Sequence, residues 1–483
     1  MSGHCFSSGR YNVWAGMSYL GRLVSCWRQR GLSQRRDGGL CLLVLVVFLA
    51  GLCGASMVAQ AQSNVLHTFG VSPSDGATPV ARLVRDAAGT LYGTTSAGTS
   101  PSTKGVVFKL RQTGAYTILH SFTGMGGTPT NDGATPVAPL VRDNAGNLYG
   151  TTQLGGSSDM GVVFQLSPTL SGPYIYTTLH SFSGADGATP QAGLIRDSAG
   201  NLYGTTSAGG SGVGVVFQLT PNGDGTYSYT TLHSFSVTDG ATPQAGVIRD
   251  GAGNLYGTTS AGGSGVGVVF QLNLTTSVVT TLHSFTGGTN GATPQAGLFR
   301  DNAGNLYGTT SAGGSSNNGV VFKFQFTTAT SGIYTTLYSF SGVDGATPEA
   351  ELVRDLALNF YTTTSAGGAS GKGVVFKLPF YLSLYGFGGA DGAYPVAGLV
   401  RDAAGTLYGT TSAGGANGVG VVFKLSPPFP TATITTLYSF TGEADGGNPV
   451  AGLVRNDFTG TLYGTTEFGG PNGKGNVFLL RAN

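Results

Sequence analysis

The sequence predicts an all-β protein, an eight-bladed β-propeller of four-stranded antiparallel blades closed by an N-terminal strand near residues 65–69 that completes the last blade. Three observations predict it. First, only 10% of the 483 residues are charged and 83 are glycine, whereas ordinary domains have about 25% and roughly 7%. A Val/Thr/Tyr/Phe-rich chain of that kind suits short strands and tight turns. Second, the phrase DGATP or a close variant begins at Asp75, Asp132, Asp186, Asp239, Asn290, Asp344, Asp391 and Asp445, a step of about 53 residues that marks tandem units. Third, an isolated VLHTF at 65–69 precedes the first unit, and the last unit stops at Asn483 without its fourth strand. The leftover at one end fits the gap at the other, and such closure removes exposed sheet edges. A β-helix is the main rival, but its coils are shorter than this period.

The elements follow in chain order. Arg22, Arg28, Arg30, Arg35 and Arg36 precede the apolar run LCLLVLVVFLAGLCGA at 40–55, and Ala59-Gln60-Ala61 supplies small residues for cleavage. Residues 1–61 therefore read as a signal peptide with a long basic leading region, and 62–483 as a single propeller. The apolar run is short for a spanning helix of about 20 residues, which leaves an uncleaved anchor as the rival reading. Cleavage would remove all four cysteines, six arginines and one aspartate, taking the formal charge from +2 down by five to −3. No disulfide, thiol nucleophile or Cys-ligated metal is then expected, and no basic surface to track nucleic acid.

Within the fourth unit the strands are expected at AGVIRD (245–250), NLYGTT (254–259), GVVFQL (267–272) and VTTLHSF (279–285). Between the first two, as in Asp301-Asn302-Ala303-Gly304, Asp favours the turn start and Gly supplies φ > 0. The glycines are no phosphate cradle, because no helix or Lys-Ser/Thr follows and the spacing is not GxGxxG. No cofactor is expected. Two units depart from the pattern: DLALNFYTTT places Leu358 at the turn glycine, which predicts a changed turn, and RNDFTGTLYGTT lengthens the eighth hairpin by one residue.

The pattern PxxGLVRDxxGNLYGTTxxGG…GVVFKL…TTLHSF resembles the tandem repeat of bacterial GloVer-type (choice-of-anchor) proteins, and its DxxGNLYGT portion is similar to the repeats of two-component regulator propellers. The resemblance implies an exported bacterial protein at the surface or outside the cell, often tethered by a C-terminal sorting signal. The chain ends at VFLLRAN without an apolar tail or basic cluster, so release into the periplasm or medium is expected instead.

The candidate ligand residues are Arg85, Arg142, Arg196, Arg249, Arg300, Arg354, Arg401 and Arg455, one per unit, seven of them followed by Asp. A ring of arginines near a channel could bind an anionic glycan; the competing role is to hold a neighbouring blade's Asp or carbonyl while Asp caps the turn. His67, His120, His180, His233 and His283 recur at one repeat position, replaced by Tyr338, Tyr385 and Tyr438 elsewhere, which suits packing rather than catalysis or a metal. The acids out of pattern, Glu349 and Glu351, are the enzyme-side candidates. The expected function is a monomeric, non-enzymatic binding or structural module toward a surface glycan or protein. The alternative is a polysaccharide hydrolase or lyase acting at the channel mouth.

Overall fold

A computed structural model describes residues 63–124, 131–379, 382–429 and 433–482. The leader expected over 1–61 lies outside the described residues. Among the described residues no helix is long and apolar enough to cross a membrane.

Eight four-stranded antiparallel sheets follow one another along the chain. In the fifth, the strands are Phe299–Arg300, Leu306–Thr310, Val320–Phe326 and Gly332–Ser339, in sequence order across the sheet. The eighth takes Val454–Arg455, Thr461–Thr466 and Asn476–Arg481 from the C-terminal end, and its fourth strand is Ser63–Thr68 from the N-terminal end. That last pairing is antiparallel, with Val65 opposite Phe478 and Thr68 opposite Asn476. The ring therefore closes as the chain ends predict.

The second and third strands are buried on both faces because a neighbouring blade covers each side. Leu306–Thr310 is buried throughout, as are Val320, Val321 and Phe322. Between each pair of neighbouring blades lies one apolar cluster; Tyr256, Val269 and Phe285 of the fourth blade meet Leu298, Leu306, Val320, Phe322 and Phe324 of the fifth. Burying one such aromatic or aliphatic side chain is worth about 1.5–3 kcal/mol, so the interfaces dominate the stability.

The first strands are shorter than the sequence suggests. Only two residues pair in each, as Ile248 and Arg249 do with Tyr256 and Leu255. These strands converge on the ring axis, where their neighbours crowd them. A Cβ on Gly246 would stand 3.0 Å from the Gly193 carbonyl oxygen of the preceding blade, and one on Gly193 would stand 3.2 Å from Pro139. The same sequence position holds Arg82, Pro139, Gly193, Gly246, Gly297, Glu351, Gly398 and Gly452 around the ring.

A second feature is invisible in the sequence pattern. The residue before the proline of each DGATP phrase is left-handed: Thr78, Thr135, Thr189, Thr242, Thr293, Thr347, Tyr394 and Asn448 have φ between 55° and 60°. A β-branched residue there is strained, by about 1–3 kcal/mol. Hydrogen bonds on both sides fix it: Thr189 N–H donates to the Met160 carbonyl at 2.9 Å, and Ser207 N–H donates to the Thr189 carbonyl at 3.2 Å. The proline that follows packs on the next-blade contact, since a Cβ on Gly319 would lie 2.6 Å from Pro348 Cδ.

The hairpin at Leu358 corrects the expectation of a changed turn. Leu358 takes φ +67° and its N–H donates to the Asp355 carbonyl at 3.2 Å, the bond Gly304 makes to Asp301 at 3.0 Å. Asp355 still caps the turn by accepting from Asn359 N–H at 2.8 Å, and the side chain projects into solvent. The flanking strands and the cap hold the geometry, and the leucine absorbs the strain.

Candidate functional site: the arginine ring and its closing seam

Each first strand ends in Arg-Asp or, in the eighth blade, Arg-Asn. The Asp closes its own hairpin. Asp250 accepts from Asn254 N–H at 2.8 Å, from Asn254 Nδ2 at 3.0 Å and from the Tyr256 hydroxyl at 2.9 Å. Burial raises the Asp250 pKa, but the Asn254 and Tyr256 hydrogen bonds and the Arg300 charge outweigh it, so its carboxyl lies below the ordinary 3.8. Asp143, Asp197 and Asp355 are lowered by the same balance.

In four blades the Arg reaches back to the Asp of the preceding one. Arg196 stands 4.0 Å from Asp143, Arg249 3.9 Å from Asp197, Arg300 3.7 Å from Asp250 and Arg455 3.8 Å from Asp402. Most guanidinium groups also lie over an aromatic ring of that blade. Arg142 is 5.7 Å from the Tyr92 ring, Arg300 5.7 Å from Tyr256, Arg354 5.9 Å from Phe299 and Arg455 5.5 Å from Tyr408. Arg401 acts on Asp355, helping to lower its pKa. Seven of the eight predicted arginines thus tie one blade to the previous one, the structural role that competes with ligand binding.

The histidines form a second set of ties, to a partner that inspection of the repeat position alone misses. His120, His180 and His233 each place Nε2 2.9 Å from the aspartate that opens the next DGATP phrase, Asp132, Asp186 and Asp239, and His67 approaches Asp75 at 3.3 Å. Tyr338 and Tyr385 donate to Asp344 and Asp391 at the same place, and Tyr438 donates to Asp445 at 2.7 Å. Several rings also stack on a neighbouring blade's tyrosine, such as His180 on Tyr229 at 3.7 Å. His283 is the exception. Asn290 replaces the aspartate, His283 Nε2 has no hydrogen-bond partner among the described residues, and burial pushes its pKa down from 6.5 to about 4. Among the described residues, no group of three or more His, Cys, Asp or Glu side chains could hold a metal ion.

At one place in the ring the aspartate itself is missing. Arg85 of the first blade faces the eighth blade, where the aspartate is replaced by the buried Asn456. Arg85 interacts there with the Tyr463 hydroxyl, which Arg481 also approaches. A concavity of about 410 Å³ opens at this seam, lined by Arg82, Leu83, Val84, Arg85, Pro139, Val454 and Arg455. Two predicted residues, Arg85 and Arg455, meet in it; the sequence reading missed Arg82, which shows once the eight copies are aligned on the position three before the ring arginine. Glu351 is exposed on the equivalent position of the sixth blade, near Gly297, and is not part of this concavity.

The fold and the repeated ties define a tandem-repeat propeller whose shared residues are architectural. The repeat described as the Gloeobacter/Verrucomicrobia repeat matches residues 55–211, 170–376 and 355–483, and the chain belongs to that family. No curated protein matches it. Among solved structures it is similar to PorZ, a surface component of the type-IX secretion system of Porphyromonas gingivalis, at 15% identity and a TM-score of 0.43 over 81% of this chain and 51% of that one. It is also similar to a puromycin-hydrolyzing peptidase of Mycobacterium tuberculosis, at 11% identity and 0.44 over 79% of this chain and 53% of that one. A third is a putative 6-phosphogluconolactonase of Bacteroides uniformis, at 15% identity and 0.43 over 72% and 94%. The chain spans about half the length of the first two.

Proposed function

We propose that the protein is an exported, non-enzymatic propeller that serves as a binding or structural module at the bacterial exterior, toward a glycan or a protein ligand. One observation carries this reading: the titratable side chains that recur around the ring are used in blade-to-blade ties. The His-Asp and Arg-Asp pairs leave the repeated groups without the free nucleophile or paired acid and base that turnover needs. Near-identical units support multivalent attachment. Residues 189–219 and 242–272 differ at two positions, so a ligand for one presents to the other the same chemistry. Export is supported by the basic, apolar and small-residue order of residues 22–61.

The test is a glycan and protein array probed with the purified chain, run beside a polysaccharide hydrolase and lyase panel. Binding without turnover is expected. Turnover that disappears in Glu349→Gln or Glu351→Gln would overturn the non-enzymatic reading. Sequencing the N-terminus of the exported form should return Gln62 as its first residue.

A further inference from the structure

We propose that the seam between the eighth and first blades is a single binding site for an acidic sugar, one carrying a carboxylate or a sulfate. This rests on the binding-module reading and assigns it a ligand class and a place. Two departures from the repeat coincide there. Asn456 stands where the seven other units carry aspartate, so the carboxylate that the preceding blade offers every other ring arginine in sequence is missing for Arg85. Arg82 stands where five units carry glycine, and it is exposed. Among the described residues no carboxylate oxygen lies within 4.0 Å of Arg82 or Arg85; several ring arginines share that separation, but only Arg85 also lacks the aspartate in the preceding blade's sequence.

The concavity joins these groups. Its lining contains three arginines and no acid, and its volume of about 410 Å³ falls in the roughly 300–1,000 Å³ range of small-molecule sites. Arg455 is already balanced by Asp402 at 3.8 Å and Asp457 at 2.5 Å, so the unmatched charge belongs to Arg82 and Arg85. Leu83, Val84, Pro139 and Val454 supply an apolar wall. A guanidinium fork pairs with a carboxylate or sulfate through two parallel hydrogen bonds, while the C–H face of a pyranose packs on aliphatic side chains. A neutral sugar would leave the arginines unmatched.

The site should bind one equivalent per chain, since the other seven arginines each have the preceding blade's aspartate in register. Isothermal titration of the full chain with galacturonate, with inorganic sulfate and with glucose tests this. Galacturonate is expected to bind once per chain, to weaken with rising salt, and to be displaced by sulfate if the arginines read any oxyanion or to resist it if they read the uronate itself. Asn456→Asp and Arg82→Gly should each weaken binding at least about tenfold by removing a charge-assisted contact. Both install the residue that other units carry at that position, so the fold should tolerate them.

Equal binding of glucose, several equivalents of galacturonate per chain, or unchanged affinity in Asn456→Asp would overturn the proposal. The two readings fail separately. If Asn456→Asp keeps every array signal of the parent, the seam is not the site and the module reading stands. If the arrays stay blank while galacturonate binds at the seam, the module reading falls and the site stands.

Discussion

Asn290→Asp should restore the one histidine tie the ring lacks, and its effect should depend on pH. In the native chain His283 stacks on Tyr334 at 3.7 Å with Nε2 unpartnered among the described residues, and burial lowers its pKa to about 4. The folded state therefore refuses a proton that the unfolded chain accepts near 6.5. Stability is complete above 6.5, falls as the pH drops through that value, and levels off below about 4. Fully transmitted, the shift would cost about 2 kcal/mol at pH 5, and partial exposure of the ring reduces this to about 1 kcal/mol. An aspartate at 290 would face His283 as Asp239 faces His233 at 2.9 Å, raising the imidazole pKa and removing the loss. Urea unfolding at pH 7.5 and pH 5.0, with the imidazole resonances followed by carbon-13 NMR, measures both effects. The variant should gain about 1 kcal/mol more at pH 5.0 than at pH 7.5. A wild-type His283 midpoint near 6.5, with the same variant effect at both pH values, refutes the reasoning.

Leu358→Gly should stabilise the protein by about 1 kcal/mol in urea titration, because it relieves a left-handed leucine whose side chain is 57% exposed and buries little. Gly319→Ala should destabilise it by roughly 1–3 kcal/mol in the same assay, since the residue has φ +91° and its Cβ would meet Pro348 Cδ at 2.6 Å. Deleting residues through Thr68 should leave the edge Asn476–Arg481 unpaired, and light scattering should then show more self-association than for the full chain.

The period, the four runs per unit and the complementary chain ends were enough to reach the closed ring, because local turn chemistry and strand patterning agree in every copy. Asp301 and Gly304 could be assigned to a hairpin from sequence, since their roles lie within four residues of each other. The His180–Asp186 tie is six residues long but joins two phrases of the repeat, so neither phrase alone marks it. Other features were not legible for a spatial reason. The left-handed Thr189 depends on a bond from Met160 in the preceding unit, and a threonine before proline carries no mark of that conformation. Leu358 was expected to change its turn because propensity was weighed without the cap from Asp355 and the strands on either side.

A repeat informs about function mainly where it fails, and the failures here differ in kind. Leu358 strains one hairpin without changing its turn, and alters nothing that a neighbour presents. Asn290 removes a carboxylate and leaves a histidine that burial keeps neutral, so that loss is silent at pH 7. Asn456 removes a carboxylate opposite an arginine, which stays charged at any physiological pH, and the loss becomes a positive field in a concavity. Arg82 and Asn456 come from opposite ends of the chain, and their blades meet through an apolar cluster that includes Phe69, next to the closing strand Ser63–Thr68 on Asn476–Arg481. Loss of the closing strand should therefore weaken galacturonate binding, even though residues 82, 85 and 456 are untouched. A deletion variant that self-associates yet binds galacturonate with native affinity would place the site elsewhere on the ring.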